Sequence, residues 1–190
     1  VQGHVKSPPL ATVGTFVCNH NTRGSGENNQ GHIIRKKLGQ IHMTNQLTIE
    51  PASPAEVIAF LSTVPDFVGV PSHEDLVHRL ATASTVIALK AVVEGKIIGV
   101  KLGYNLNVER FYSWLGAVAP THRRTGVATQ LLLEQERLAR ERGFASVQVK
   151  SMNKYPAMVT LLVKHGYLIT GVEDAPKDIK ILFYKTLSVR

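Results

Sequence analysis

Apolar residues recur along the chain after residue 42 with two periods, one typical of helices and the other of strands. Spacing near 3.6 residues predicts helices over 72–83, 127–142 and 156–164, and a further helix that begins at Pro54. Apolar or alternating runs predict strands over 46–50, 85–93, 96–106, 111–119, 145–150, 167–172 and 179–187. The resulting order, β-α-α-β-β-β-α-β-α-β-β, predicts an α/β (α+β) layered fold in a single domain.

Capping and turn residues mark several of these boundaries. Ser53 is a candidate N-cap, and Glu56 follows it at the position that completes a capping box. Glu94-Gly95 separates two strand runs and predicts a hairpin turn. Gly143 follows the helix over 127–142, as expected for a helix C-terminus. These local signals agree with the elements that the hydrophobic pattern predicts.

Residues 1–42 show neither period. They contain six glycines, four of the eight histidines and one aromatic residue, Phe16. A segment of this composition buries too little apolar surface to offset the entropy of ordering it. We interpret 1–42 as an N-terminal extension that is either naturally flexible or was added during cloning, and Met43 as the natural start of a domain over 43–190. We expect the extension to be dispensable for folding and binding.

Composition narrows the class of protein. The 190 residues carry a net charge of +8, are 44% hydrophobic and include one cysteine, Cys18. These values exclude global disorder, an internal disulfide and a zinc site built on several cysteines. No apolar run approaches the roughly 18 to 20 residues of a membrane-spanning helix, so a cytoplasmic protein is expected. Residues 1–42 hold half of the net charge, so the remaining chain is only mildly basic. We therefore expect a basic entrance to a binding site for an acidic small molecule rather than a nucleic-acid surface.

A strand, a proline-ended turn, a basic loop and a helix follow one another over 115–129. The first turn of a helix leaves backbone N–H groups unpaired at the positive end of the helix dipole, so an anion binds there readily. Gly126 allows close approach of a phosphate, and Arg123 and Arg124 add positive charge. His122 either neighbours this anion or is a solvated loop residue. The alternative is a surface connection without a ligand; the dinucleotide and P-loop glycine motifs are both absent.

Two blocks of this sequence resemble the GNAT superfamily of N-acetyltransferases. Arg123-Arg124-Thr125-Gly126-Val127-Ala128 matches the family motif [R/Q]-x-x-G-x-[G/A], and Pro120 and the strand end 116–118 also match. At the expected distance, a strand leads to Asn153 and then to a helix that ends in Lys164-His165-Gly166-Tyr167, similar to the family's K-x-G-F ending. The resemblance covers residues 46–187 and points to a bacterial subgroup whose acceptor the sequence does not identify.

The resemblance implies a mixed, mostly antiparallel sheet that splays between the strands that start near Phe111 and Ala145. It implies acetyl-CoA as co-substrate, no metal, and transfer of the acetyl group to a primary amine by direct attack in a ternary complex. The strand end would hold the pantetheine arm together with the asparagine, and the loop would hold the pyrophosphate. The residues so implied are Gly116, Ala117, Val118, Arg123, Arg124, Thr125, Gly126, Val127, Ala128, Thr129 and Asn153.

The sequence departs from the family pattern at both side chains that usually move protons. Leu162 stands where many members have a tyrosine acid, and Tyr112 where some have a glutamate base. Tyr112 and Tyr155 are therefore the candidate catalytic residues, and packing is the alternative for each. Strand alternation places Tyr112, Trp114 and Gly116 on one face, where the two aromatic residues either line the acceptor pocket or belong to the core.

The acceptor is expected between segments 64–78 and 104–110. Their carboxylates, Asp66, Glu74, Asp75 and Glu109, would suit an amine, either a small molecule or a protein. A solvated polar surface is the alternative explanation of these carboxylates. A homodimer is left open. The missing proton-transfer residues motivate an alternative, a non-catalytic CoA-binding regulatory module. A second alternative is nucleic-acid binding through the basic tail, which would depend steeply on salt.

Overall fold

The part of the chain that can be described covers residues 46–65, 67, 70–175 and 178–187 of a computed structural model. The expectation for residues 1–42 concerns a segment outside these ranges. Within them the predicted order of helices and strands is confirmed. The elements are β1 Thr48–Pro51, α1 Pro54–Leu61, α2 His73–Leu80, β2 Val86–Val93, β3 Lys96–Asn105, β4 Arg110–Val118, α3 Val127–Glu141, β5 Ser146–Met152, α4 Pro156–Lys164, β6 Leu168–Ala175 and β7 Asp178–Thr186.

The seven strands of the described residues form one sheet in the order β1-β2-β3-β4-β5-β7-β6. The pairing of β4 with β5 is parallel and the other pairings are antiparallel. The predicted mixed, mostly antiparallel sheet is therefore confirmed. The last strand, β7, inserts between β5 and β6, which is a long-range arrangement that the order of elements along the chain does not specify.

Helices cover both faces of the sheet. On one face, α3 and α4 pack on a core that contains Phe111, Leu131, Leu162 and Phe183. On the other face, α1 and α2 pack on a smaller core around Leu102. Both faces of the central strands are thus buried by helices, as in other layered α/β domains. None of the helices in the described ranges has both the length and the apolar character needed to cross a membrane.

The sheet opens between its two central strands. β4 and β5 pair from Arg110 opposite Ser146 to Ser113 opposite Val149. β4 then continues to Val118 and β5 to Met152 without further pairing between them. This confirms the splay that the family resemblance implied, and it leaves one edge of β4 without a strand partner over its last residues.

A β-bulge in β4 lies at the point where the strands separate. Leu102 of β3 is opposite Leu115, but the next residue, Gly103, is opposite Ser113, so Trp114 is an extra residue in β4. An extra residue reverses the side to which the following side chains point. The bulge therefore changes which residues of β4 share a face.

The strand opposite the bulge needs a glycine. A Cβ atom on Gly103 would lie 2.5 Å from Cε1 of Phe111 and 2.6 Å from the carbonyl oxygen of Tyr112. No side chain fits at these distances, because the contacts are shorter than van der Waals separations. The close approach of β3 and β4 at the bulge thus depends on Gly103.

The prediction that Tyr112, Trp114 and Gly116 share one face is wrong for the glycine. Tyr112 and Trp114 make contacts with Tyr104 and lie toward α1 and α2. Gly116 is opposite Lys101 and shares the face covered by α3. The bulge at Trp114 is the physical reason, since simple alternation holds only along an uninterrupted strand.

Capping and buried polar groups complete the fold. Ser53 and Glu56 form the predicted capping box, and Ser72 forms a second one with Asp75. On α3, Gln135 lies on the apolar face, where its Nε2 donates to the carbonyl oxygen of Ile87 at 3.3 Å. The following residue, Glu136, is also buried, and Lys185 of β7 donates to it at 2.5 Å. A polar pair therefore lies inside the α3 face of the core.

Candidate functional site

A cleft of about 1220 Å³ occupies the gap between β4 and β5. Its walls come from β3, β4, the N-terminus of α3, β5 and α4, together with residues that precede β2. Most of the sequence-predicted site residues line it: Tyr112, Gly116, Ala117, Val118, Arg123, Arg124, Gly126, Val127, Ala128, Thr129 and Tyr155. Two of them, Thr125 and Asn153, do not.

The N-terminus of α3 forms one end of the cleft. Gly126 is its N-cap with φ of 88° and no side-chain capping bond, and Arg124 has φ of 67°. Such φ values favour glycine at the cap because it has no Cβ. A Cβ added at Gly126 would meet no atom within 4 Å, so open space faces this residue. The N–H groups of the first turn, 127–129, are thus available to an anion.

Side chains of the preceding loop hold its shape. Nε of Arg123 donates to the carbonyl oxygen of Val118 at 3.2 Å, and Oγ1 of Thr125 donates to the carbonyl oxygen of His122 at 2.7 Å. The Thr125 hydroxyl is therefore used inside the loop, which explains why this residue lies outside the cleft lining. His122 does line the cleft, and its Nδ1 is 2.9 Å from Oγ1 of Thr121.

The turn between β5 and α4 differs from the arrangement expected for Asn153. Asn153 is exposed in this turn, and the next two residues, Lys154 and Tyr155, line the cleft instead. Tyr155 is the N-cap residue of α4, and Nζ of Lys154 lies 5.5 Å from the centre of its ring. Leu162 is fully buried in the core, so the position where the family often has a tyrosine carries no polar group.

Three aromatic side chains line the other end of the cleft. The ring of Tyr104 makes edge contacts with the rings of Tyr112 and Trp114, with centroid distances of 5.6 and 5.7 Å. Cζ of Arg79, from α2, lies 5.1 Å from the centre of the Trp114 ring. Tyr112 and Trp114 are half-buried, and Trp114 also packs on the smaller core. The two sequence interpretations of Trp114, pocket lining and core, therefore both apply.

Burial controls the protonation of Tyr112. Loss of solvation raises the pKa of its phenol well above the usual range, and the nearby Tyr104 adds to this effect. The phenol consequently stays protonated at neutral pH. It can donate a hydrogen bond, but it is a poor acceptor of a proton from an amine.

The expected segments contribute Val64, Phe67, Tyr104 and Leu106 to the cleft, but an acidic wall is wrong for three of the four carboxylates named above. Glu74, Asp75 and Glu109 do not line the cleft, and Asp75 instead accepts hydrogen bonds from Ser72 at the start of α2. Asp66 lies outside the described residues. Lysine and arginine dominate the described lining, in which Glu173 is the carboxylate. The cations are Arg79, Lys101, Arg123, Arg124, Lys150, Lys154, Lys164 and Lys180.

Lys101 is a site residue that the sequence reasoning missed. It lies on β3, is 5% exposed and lines the cleft. Its ammonium makes no hydrogen bond or ion pair with the residues that the structure describes, whereas Nζ of Lys150 in the same cleft is 2.5 Å from Glu173. Burial lowers the pKa of Lys101 to about 8, and the charge of Glu136 opposes this shift. A lysine in the middle of the apolar run over 97–104 was the available signal.

These features agree with comparisons to known proteins. The model of the Acetyltransferase (GNAT) family matches residues 57–167. The chain therefore belongs to this family of acetyltransferases. No curated protein matches the chain significantly.

Solved structures of similar fold come from several organisms. A GNAT family acetyltransferase from Elizabethkingia anophelis with acetyl-CoA bound matches with a TM-score of 0.60 and 21% identity, over 76% of this chain and 99% of that one. The ribosomal-protein-S18-alanine N-acetyltransferase from Escherichia coli matches with a TM-score of 0.64 and 14% identity, over 76% of this chain and 96% of that one. Ard1 from Thermoplasma volcanium matches with a TM-score of 0.62 and 18% identity, over 75% of this chain and 99% of that one. At these identities the likeness shows the shared fold.

Proposed function

We propose that this protein is an N-acetyltransferase that transfers the acetyl group of acetyl-CoA to a primary amine by direct attack within a ternary complex. The observation that supports it is one continuous cleft, which joins an uncapped helix N-terminus to an aromatic pocket through the gap between β4 and β5. One end suits a pyrophosphate and the other an organic acceptor. The reacting carbonyl would lie between them.

The described residues fit acetyl-CoA in two respects. The N–H groups at the start of α3, with Arg123 and Arg124 beside them, provide donors and positive charge for phosphate oxygens. The edge of β4 from Gly116 to Val118 has no strand partner on the β5 side. An extended chain with amide groups, such as pantetheine, could add to that edge as a strand does.

The chain's own residues would mainly orient the reactants. The amine lone pair attacks the thioester carbon, the C–S bond breaks, the sulfur leaves as a thiolate, and the amine gives up a proton. Holding the two reactants together supplies several kcal/mol of the barrier reduction. Tyr112 can donate a hydrogen bond, and water takes the amine proton. Tyr155, at the start of α4, is the candidate donor to the thiolate.

The acceptor pocket favours one chemical class. Near Trp114 the described lining also contains Val64, Phe67 and Leu106. The guanidinium of Arg79 over Trp114 makes no hydrogen bond or ion pair with the residues that the structure describes. A guanidinium in such a pocket can bind a carboxylate in a bidentate manner. We therefore propose an acceptor with an aromatic or apolar body that carries an anionic group besides its amine.

The experiment is a panel of amines with acetyl-CoA, read out as thiol release. Matched pairs would be aromatic amino acids and their carboxamides. We expect kcat/KM to be roughly 10- to 100-fold higher for the carboxylate, since a hydrogen bond to a charged group contributes about 1.5–3 kcal/mol. Arg79→Gln should abolish this preference. Arg140→Gln, an exposed site on α3 outside the cleft, is the control.

One result would support the alternative function. The core residue Leu162 in place of a tyrosine acid is the observation that favours a non-catalytic CoA-binding module. If CoA binds but no amine in the panel releases thiol, the catalytic proposal is wrong and the module is supported. If acetylation occurs without a preference for the carboxylate, only the acceptor class is wrong.

A further inference from the structure

We propose that Lys101 is a self-acetylation site, at which the protein transfers the acetyl group of its own bound acetyl-CoA to Nζ. This inference rests on the proposed function, because it needs acetyl-CoA in the cleft. It adds a second acceptor, which is part of the chain itself. The modified residue would lie in the cleft lining and would reduce turnover of an external amine.

The position of Lys101 is the first argument. Lys101 lies in the middle of β3, with Leu89 opposite on β2 and Gly116 opposite on β4. A Cβ added at Gly116 would be 3.7 Å from Nζ of Lys101. Gly116 belongs to the free edge of β4 that we expect to hold pantetheine. Because Gly116 has no side chain, Nζ can occupy the space beside this edge.

Within the described part of the chain, no side chain pairs with the amine of Lys101. The neighbours across the sheet, Leu89 and Gly116, carry no charge, and α3 provides Glu136 on this face. Glu136 pairs with Lys185 through Oε2 at 2.5 Å, and its charge opposes the effect of burial on the pKa of Lys101 without cancelling it. Burial without a partner favours the neutral amine, which agrees with the lowered pKa of Lys101, about 8. At pH 8 about half of Lys101 is then neutral, compared with less than about 1% of an ordinary lysine.

The chemistry balances without another reactant. The lone pair of neutral Nζ attacks the acetyl carbon, and a C–N bond forms as the C–S bond breaks. The sulfur leaves as the coenzyme A thiolate, and one proton of the amine passes to it through water. The products are N-acetyl-lysine and coenzyme A. The amide does not pass its acetyl group on, so the modification accumulates.

Lys150 provides a comparison within the same cleft. It lines the cleft from β5, but Glu173 holds its ammonium at 2.5 Å. An ion pair stabilises the charged form of an amine and lowers its nucleophilicity. If presence in the cleft were sufficient, both lysines would react. If a neutral, unpaired amine is required, only Lys101 reacts rapidly.

The test uses the full chain with acetyl-CoA at pH 8, followed by tryptic digestion and mass spectrometry. Acetylation of Lys101 blocks cleavage and gives a single 97–110 peptide that carries one acetyl group, in place of two peptides that meet at Lys101. We expect this product to form at least 10-fold faster than acetylation at Lys150. Its rate constant should not depend on protein concentration, since the transfer is intramolecular. Excess CoA without an acetyl group should suppress it.

Two variants and one binding measurement separate the outcomes. Lys101→Arg should remove the modified peptide, and Arg140→Gln, an exposed site outside the cleft, should leave its rate unchanged. CoA affinity, measured by calorimetry, and thiol release with the amine panel report on the proposed function independently. If the protein binds CoA but Lys101 stays unmodified, or reacts no faster than Lys150, the inference is wrong while the proposed function stands. If CoA does not bind, both are wrong.

Discussion

Replacement of Gly126 tests whether the N-terminus of α3 binds the pyrophosphate. Gly126→Asp and Gly126→Asn introduce side chains of almost equal size that differ by one negative charge. Both residues tolerate the left-handed conformation observed here, φ of 88°, better than other residues with a Cβ. The open space around Gly126 accepts either side chain without a clash. The pair therefore isolates the effect of charge on binding.

The expected magnitude follows from Coulomb's law. A carboxylate about 5 Å from one phosphate charge costs roughly 0.8 kcal/mol in water and roughly 3 kcal/mol at an effective dielectric constant of 20. With two phosphate charges nearby, we expect Gly126→Asp to weaken CoA binding by at least about 2 kcal/mol relative to Gly126→Asn. That difference corresponds to roughly a 30-fold higher Kd.

The effect on folding should have the opposite sign. Without ligand, the negative charge of an aspartate beside the helix N-terminus stabilises the helix by about 0.3–1 kcal/mol through the helix dipole, and asparagine lacks this charge. The thermal midpoint of Gly126→Asp should therefore equal or exceed that of Gly126→Asn. Calorimetric titration with CoA and thermal unfolding of both variants measure the two effects separately.

Three results would refute this reasoning. Equal CoA affinity of the two variants would mean that no phosphate lies near Gly126. A gap in affinity that does not narrow at high salt would mean that it is not electrostatic. A large fall in the thermal midpoint of Gly126→Asp alone would mean that the lost affinity reflects unfolding.

Further predictions concern catalysis, the buried ion pair and acid stability. Tyr112→Phe removes a hydrogen-bond donor to the reacting group and should lower kcat by about 10²-fold while CoA affinity stays intact; a loss below about threefold would mean that the residue only packs. Glu136→Gln should lower the free energy of unfolding by about 2 kcal/mol in urea titrations, because it weakens a buried charge pair, whereas the exposed Glu141→Gln should change it by less than about 0.5 kcal/mol. The hydrogen bond from Lys90 lowers the pKa of Glu56 from 4.5 to about 2. Its contribution to stability is therefore complete above pH 4.5 and is lost as the pH falls toward 2. Glu56→Gln should flatten the stability profile in that window, and parallel profiles would contradict this.

Local signals in the sequence predicted the elements well. The start of α1 at Pro54 depends on Ser53 and Glu56, which lie within four residues of each other, and the structure contains that capping box. The loop before α3 likewise depends on Gly126 and its neighbours. Features with short-range causes can be read from a single sequence, because the residues that produce them are adjacent.

Long-range features could not be read in this way. The insertion of β7 between β5 and β6 joins segments that are distant along the chain, and no local pattern encodes this choice. Burial of Lys101 depends on the helix α3, which packs over β3 and is distant in sequence. The position of this lysine inside an apolar strand was the one local sign that it could be buried. Asp75 was misassigned to the acceptor wall, although Ser72 three residues earlier forms a recognisable capping pattern with it.

The single extra residue in β4 also has a consequence for how the protein can change. Because of the bulge at Trp114, the aromatic side chains lie on the face of the sheet that α2 covers. Gly116, at the free edge of the strand, belongs to the face that α3 covers. Under the proposed function, substitutions among the aromatic residues would therefore alter acceptor choice without disturbing the surface that we expect to hold the cofactor. Deletion of one residue from this bulge would turn the side chains after the bulge to the opposite face of the sheet relative to those before it. Under the proposed function, the acceptor pocket and the cofactor surface would thus evolve separately only as long as that residue is kept.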